Sequence, residues 1–327
     1  MKRVLIVRLD AIGDYILWRN CLRFLRNSAK YRDAHLTVLG NPAWRSLAEA
    51  LDGDCADEWI WAENRNDLFR KGRENLLPYC VWHRRVAAEQ NRLKERLAAI
   101  GFDEVISPCA FPDSLLDELV TGIAPVTISV SNGDASRMAR FTRLVDPGRE
   151  PFVFLRNRTI ASALTDETCD VGFELNIGEP PKKTNQVMLF KGASHWTKRW
   201  PRRRWTELAR LLPAGFEAVE APCGKTLAEF ARFVASCAAV VSNDTMALHM
   251  AAAIGVPVVG VANGVAGRGS FWPYPPSLGK RVAVCAPAKV PRVPLPLVGP
   301  RLAQFAALSS VRAKEVASKL ALVTSCR

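Results

Sequence analysis

The chain has 327 residues, 49% of them hydrophobic and 24% charged, a composition that argues against a disordered chain, a collagen-like repeat or a membrane-spanning bundle. At this length two domains of about 150 residues each are expected. Lys and Arg number 45 against 32 Asp and Glu, and the resulting net charge of +13 favours anionic partners: nucleic acid, an anionic membrane face or a phosphorylated substrate.

From the N-terminus, Met1-Lys2-Arg3 is followed by only the short apolar run Val4-Leu5-Ile6-Val7. A signal peptide needs roughly 7–15 continuous apolar residues, so a cytoplasmic protein is expected. The β-branched run 3–8 predicts a strand and 9–14 a loop. Residues 15–28 carry Ile16, Leu17, Cys21, Leu22, Phe24 and Leu25 at helical spacing, the opening unit of a doubly wound α/β domain. Further strands are expected at 35–39, 58–61, 104–107 and 127–130, with helices at 43–51, 86–100 and 114–122 between them. Residues 131–183 show no clean periodicity and end in Gly178-Glu179-Pro180-Pro181-Lys182-Lys183, which reads as an interdomain linker. A second alternating unit follows: strands at 186–190, 217–220, 239–241 and 256–261, with helices at 203–212, 226–236 and 245–254. A proline-bearing passage then precedes a terminal amphipathic helix at 309–322. The expected domains are 1–175, a linker at 176–185, a second domain at 186–308 and a C-terminal helix at 309–327 that packs back on the first domain. Nine cysteines are scattered with no C-x-x-C pair, which reads as reduced thiols rather than a disulfide or zinc framework.

Two open α/β domains in succession predict two Rossmann-like halves facing across a cleft, with ligands at the carboxyl ends of the strands. Three loops there carry chemistry. In Ser242-Asn243-Asp244-Thr245-Met246-Ala247-Leu248-His249 a strand ends, Asn243 or Asp244 can cap, and a helix of small residues begins, so the N–H groups near Thr245 to Ala247 suit a phosphate or pyrophosphate. The bland alternative is that Asp244 only caps the helix and His249 is a core histidine. In Lys191-Gly192-Ala193-Ser194-His195-Trp196-Thr197-Lys198-Arg199-Trp200-Pro201, Gly192 permits close backbone approach, Ser194 and Thr197 offer hydroxyls, and Lys198 and Arg199 offer cations for a leaving diphosphate. The alternative is a solvated helix start, and the loop is not a P-loop. In Asp10-Ala11-Ile12-Gly13-Asp14, Gly13 suits a tight turn that brings backbone close to a ligand, and Asp14 at a helix N-terminus stays ionised and able to accept a proton. It too has a plain reading, as a helix cap.

In this order and spacing the three loops resemble glycosyltransferase family 9, the ADP-heptose:lipopolysaccharide heptosyltransferases. Its arginine followed by Gly-Asp is matched by Arg8 to Asp14. Its loop ending Lys-Arg/His-Trp-Pro is matched by Gly192 to Pro201, and its Asp-Thr-Gly-x-x-His followed by Gly-x-Pro by Asp244 to Pro257. The resemblance implies an α/β GT-B fold, a donor held mainly by the second domain and approached by the backbone at Gly13, and no metal or other cofactor. It implies inverting transfer of a heptose-type sugar from a nucleotide-diphosphate donor such as ADP-heptose, with Asp14 as general base. Lys198 would stabilise the departing diphosphate with Ser194, Arg199 and the backbone at Gly192, Thr245, Met246 and Ala247, while Asp244 would hold donor-sugar hydroxyls and His249 would support the loop or contact phosphate. The acceptor would be an anionic glycan or glycolipid, such as a phosphorylated, Kdo-bearing lipopolysaccharide core, with peripheral contact at the cytoplasmic face of the inner membrane.

The chain departs from this pattern in places. Met246 stands where the family usually has glycine, Ala193 removes a hydroxyl, and Glu220 is a weak match for the acidic residue on the donor ribose. The segment 267–275, rich in aromatic and basic residues, could stack a base, and the basic segments 65–73 and 83–96 could face the acceptor, with Arg84, Arg92 and Arg96 near one helical stripe. Competing readings keep the fold but take a protein or small-molecule acceptor, or make the chain a noncatalytic nucleotide-sugar-binding protein. Nucleic acid is disfavoured, because no recognisable binding motif accompanies the charge.

Overall fold

The computed structural model of the chain describes residues 1–62, 79–109, 114–150, 152–264, 281–287 and 299–325. The segments 65–73 and 267–275, singled out above, lie outside the described residues, as does most of the proline-bearing passage. The chain divides into two compact units, Met1–Gly172 and Phe173–Arg327.

The first unit is built on six strands: β1 (Arg3–Arg8), β2 (His35–Gly40), β3 (Glu58–Trp61), β4 (Glu104–Ser107), β5 (Val126–Val130) and β6 (Arg143–Val145). They pair in the order β3-β2-β1-β4-β5-β6, every pair parallel. Parallel strands need helical crossovers that cover both faces of the sheet, and alternation along each strand divides its side chains between two cores. Val4 and Ile6 of β1 join Leu22 and Leu25 of the helix Arg19–Asn27 and Ile160 and Leu164 of the helix Val153–Thr165. Leu5 and Val7 join Leu93 and Leu97 of the helix Tyr79–Ile100 on the opposite face. The helix expected at 15–28 is broken in two, Ile12–Ile16 and Arg19–Asn27. Residues 131–172 hold the strand β6 and the helix Val153–Thr165, neither anticipated.

At the edge of this sheet the indole of Trp44 stacks on the ring of Tyr15, centroids 4.0 Å apart and 5° from parallel. Trp59 and Trp61, two residues apart on β3, stack on one another at 5.5 Å and 10°. The close packing requires glycine at position 40, where a Cβ would come within 2.5 Å of Trp44 and 2.6 Å of Trp61.

The second unit has β7 (Gln186–Phe190), β8 (Glu217–Glu220), β9 (Ala239–Asn243), β10 (Val258–Val261) and β11 (Val282–Cys285), in the order β11-β10-β9-β7-β8 and again all parallel. The strand order reverses direction between β1 and β4 in the first unit and between β7 and β9 in the second, and ligands of open parallel sheets bind at the carboxyl ends of the strands at such points. The helix Met246–Ile254 ends on Gly255 in the left-handed conformation, φ 81°, which a residue with a Cβ adopts only at a cost.

The C-terminal expectation needs correction. The terminal segment forms two helices, Gly299–Ser310 and Ala313–Ser325, where a single helix at 309–322 was expected. Val316, Leu320 and Val323 are buried in the core of Val187, Val241, Val259 and Trp205, and Lys319 Nζ donates to Val284 O at 2.8 Å. This helix covers a sheet face that would otherwise be bare, and each such side chain contributes about 1.5–3 kcal/mol when fully buried. Among the described residues no helix is long and apolar enough to cross a membrane.

Candidate functional site

In the first unit, β1 delivers Arg8 to the point where the strand order reverses. Its side chain is 2% exposed and held by three contacts: Nη2 lies 2.6 Å from Asp10 Oδ2, Nη1 donates to Pro108 O at 2.7 Å, and the group stands 4.8 Å over the Trp18 ring. Asn41 Nδ2 donates to Asp10 O at 2.7 Å. The loop after β1 is thereby tied to the loop after β4 and to the end of β2. Asp14 Oδ2 accepts from the backbone N–H of Ala11 at 3.1 Å, so the carboxylate is oriented by its own turn while remaining partly exposed. Gly13 does not form the tight turn expected of it; it lies inside the helix Ile12–Ile16 and its carbonyl accepts from Leu17 N. Arg8 was legible only as a motif letter, and neither Asp10 nor Asn41 was singled out.

In the second unit the loops after β7 and β9 come together. Lys198 Nζ lies 3.3 Å from Asp244 Oδ2, which joins the expected diphosphate cation to the expected sugar-binding acid. Thr245 is the N-cap of the helix Met246–Ile254, but its side chain does not cap the helix. Its Oγ1 lies instead 3.2 Å from Ser242 Oγ. Ser194 and Gly192 are exposed, and Met246 is partly exposed. Arg199 is exposed too, and its Nε donates to Ala193 O at 3.1 Å, bracing the loop. The Ala247 side chain is buried, so only its backbone could face a ligand. Thr197 is corrected: it is 3% exposed and turned inward, its Oγ1 2.8 Å from His195 Nδ1. His249 is buried, and burial brings its imidazole down to about 4, with Asp244 opposing the shift and Lys198 adding to it. Glu220, at the end of β8, pairs with Lys191, whose ammonium holds the carboxyl below its ordinary range.

Sequence reasoning left the role of Asn243 open as a cap. Fully buried at the end of β9, it instead accepts from Trp200 N–H at 3.0 Å and donates to Lys191 O at 2.8 Å and Gly192 O at 3.3 Å. Among the described residues no three His, Cys, Asp or Glu side chains come together to hold a metal ion.

With this geometry in view, the chain is similar in structure to E. coli heptosyltransferase WaaC with ADP-2-deoxy-2-fluoro heptose, at a TM-score of 0.67 and 18% identity, covering 97% of this chain and 98% of that one. It is equally similar to the glycosyl transferase family 9 protein from Veillonella parvula DSM 2008, with a TM-score of 0.67, 18% identity and coverage of 99% and 97%. This is the fold of a family 9 glycosyltransferase. E. coli ADP-heptose lps heptosyltransferase II shares it, with a TM-score of 0.61, 16% identity and coverage of 99% of both chains. The sequence model of Glycosyltransferase family 9 (heptosyltransferase) matches residues 213–263, the stretch that carries β8, β9, β10 and the family 9 loop from Asp244 to His249. No curated protein matches the chain. Asp14 and Lys198 lie outside the matched stretch.

Proposed function

We propose that the chain is a family 9 glycosyltransferase that moves a heptose-type sugar from an ADP-sugar donor to a hydroxyl of an anionic glycan or glycolipid. The observation that carries this reading is the pairing of Lys198 with Asp244 beside the N-terminus of the helix Met246–Ile254, where the order of the second sheet reverses. A helix N-terminus bears about half a positive charge, and with a lysine beside it a diphosphate finds both a cation and aligned N–H donors. ADP-heptose is the donor named with E. coli heptosyltransferase II, and an ADP-heptose analogue accompanies WaaC. An acceptor of the lipopolysaccharide-core class matches the name of heptosyltransferase II and the +13 charge, and would bring the enzyme to the cytoplasmic face of the membrane that carries it.

In this reading Asp14 takes the proton of the acceptor hydroxyl as its oxygen attacks the anomeric carbon from the face opposite the diphosphate. The new C–O bond forms as the sugar–phosphate bond breaks, ADP leaves with the electron pair, and the anomeric configuration inverts. Charge developing on the β-phosphate meets Lys198 and the backbone N–H groups of Met246 and Ala247, with Ser194 and Arg199 on the facing loop, while Asp244 addresses donor-sugar hydroxyls. Preorganised donors of this kind stabilise a leaving group more than they stabilise the bound substrate.

Calorimetry with ADP, together with turnover of ADP-heptose on Kdo-bearing lipid A, tests the assignment. Asp14→Asn is expected to lower transfer by about 10²–10⁴-fold with ADP affinity unchanged, and Lys198→Ala to weaken ADP binding itself. Undiminished transfer by Asp14→Asn removes the base, and a wild-type chain that neither binds ADP nor consumes ADP-heptose overturns the whole reading.

A further inference from the structure

Asn243 does more than end a strand. Its one acceptor and two donated hydrogens reach both ends of the loop 191–200, taking Trp200 N–H at one end and Lys191 O and Gly192 O at the other. The partners lie 43 to 52 positions away in sequence. The far end of the loop is itself rooted: Trp200 Nε1 donates to Val311 O at 3.1 Å, Trp205 Nε1 donates to Trp200 O at 3.1 Å, and the two indoles meet edge to face at 5.0 Å. Within the span so held, Arg199 Nε closes on Ala193 O, and Lys198 reaches Asp244, the residue next to Asn243.

We infer that Asn243 is a positioning residue for the donor: its buried amide clasps both ends of the loop 191–200 and so sets Lys198 and the Gly192–Ser194 backbone at the diphosphate. The inference rests on the reading of this site as a donor site. Only an amide of this length supplies the set required, one acceptor for an N–H and two donors for two carbonyls. A carboxylate in its place turns lone pairs onto both carbonyl oxygens, and a serine hydroxyl has a single hydrogen to donate. A buried polar group that loses its partner forfeits far more than an exposed one, so the loop relaxes away from β9 when the clasp is removed and takes Lys198 with it.

The test is a double-mutant cycle read by ADP titration of the full chain, using wild type, Asn243→Ser, Asn243→Asp, Lys198→Ala and the Asn243→Ser/Lys198→Ala pair. Circular dichroism and thermal unfolding identify the variants that fold. Asn243→Ser is expected to raise the Kd for ADP about tenfold, the scale of one lost buried hydrogen bond, and Asn243→Asp to raise it further. In the Lys198→Ala background the serine change should cost less than about twofold, because residues acting as one unit are not additive. An equal loss in both backgrounds, an unchanged Kd in a folded Asn243 variant, or failure of every Asn243 variant to fold would each overturn the inference, the last by assigning the amide to the fold alone. A wild-type chain that does not bind ADP overturns instead the donor-site reading beneath it.

Discussion

His249 sets the charge of the second-unit site by having none. It is 3% exposed, and with its imidazole brought down to about 4 it is neutral at physiological pH. In the proposed donor site the cationic field therefore falls to Lys198 and the helix N-terminus. The same burial makes stability depend on pH. The unfolded chain protonates this histidine near its ordinary 6.5, whereas the folded chain resists until about 4, so its contribution is fully present above 6.5 and is lost as pH falls toward 4. Between pH 7 and pH 5 this group should remove about 2 kcal/mol of stability, measured as urea unfolding at the two pH values, and His249→Gln should erase that share of the slope. Lys198, Asp244 and His249 were legible because motif spacing marks them. Asn243 and Thr197 were not, since the first is defined by backbone groups far away in sequence and the second by the direction its hydroxyl turns.

At the scale of elements, the helix Ile12–Ile16 that carries Asp14 is only five residues long, too short to hold itself, because nucleating a helix costs more than one turn returns. Its support is tertiary. Tyr15 stacks on Trp44 and donates its hydroxyl to Asp52 Oδ2 at 2.7 Å, while Arg19 from the next helix grips both oxygens of the same carboxylate at 2.9 and 2.6 Å. Asp52 is fully buried, so Asp52→Ala leaves a buried guanidinium and a buried phenol without their acceptor. Denaturant unfolding should show a loss of about 3–5 kcal/mol, and a loss under about 1 kcal/mol would mean the helix is held elsewhere. Strands such as β1 and β10 were readable because apolar, β-branched runs bounded by turn residues leave few alternatives. The helix Val153–Thr165 was hidden by its own chemistry: Asn157, fully buried on its inner face, donates to Leu17 O at 2.9 Å and interrupts the apolar period. β6 was hidden by brevity, three residues of which only Val145 is buried.

For the whole molecule, two sheets with separate cores mean that the second unit carries its own stabilising surface, completed by the helix Ala313–Ser325. Phe173 and Leu175 are buried, and Leu175 N–H donates to Ala253 O at 2.8 Å, which ties the start of this unit to its interior. Residues 173–327 expressed alone should therefore unfold in one cooperative transition by circular dichroism, whereas a fragment that also lacks 309–327 should show none. A gradual, non-cooperative melt of the longer fragment would show that the unit depends on the rest of the chain. The overall alternation of strand and helix was legible from sequence, but the strand orders were not, because register and neighbour choice arise from pairing across the sheet. The exposed Arg92, paired with Glu89, and Arg96 on the helix Tyr79–Ile100 are the described part of the basic surface expected in the first unit. The stacked Trp59 and Trp61 give that unit an optical identity of its own: two nearly parallel indoles at 5.5 Å share their excitation, so their coupled circular-dichroism signal reports whether β3 is folded in its sheet. The edge-to-face pair Trp200 and Trp205 has a different coupling geometry, so among the described residues each unit has a tryptophan pair of its own by which it can be watched without an attached label.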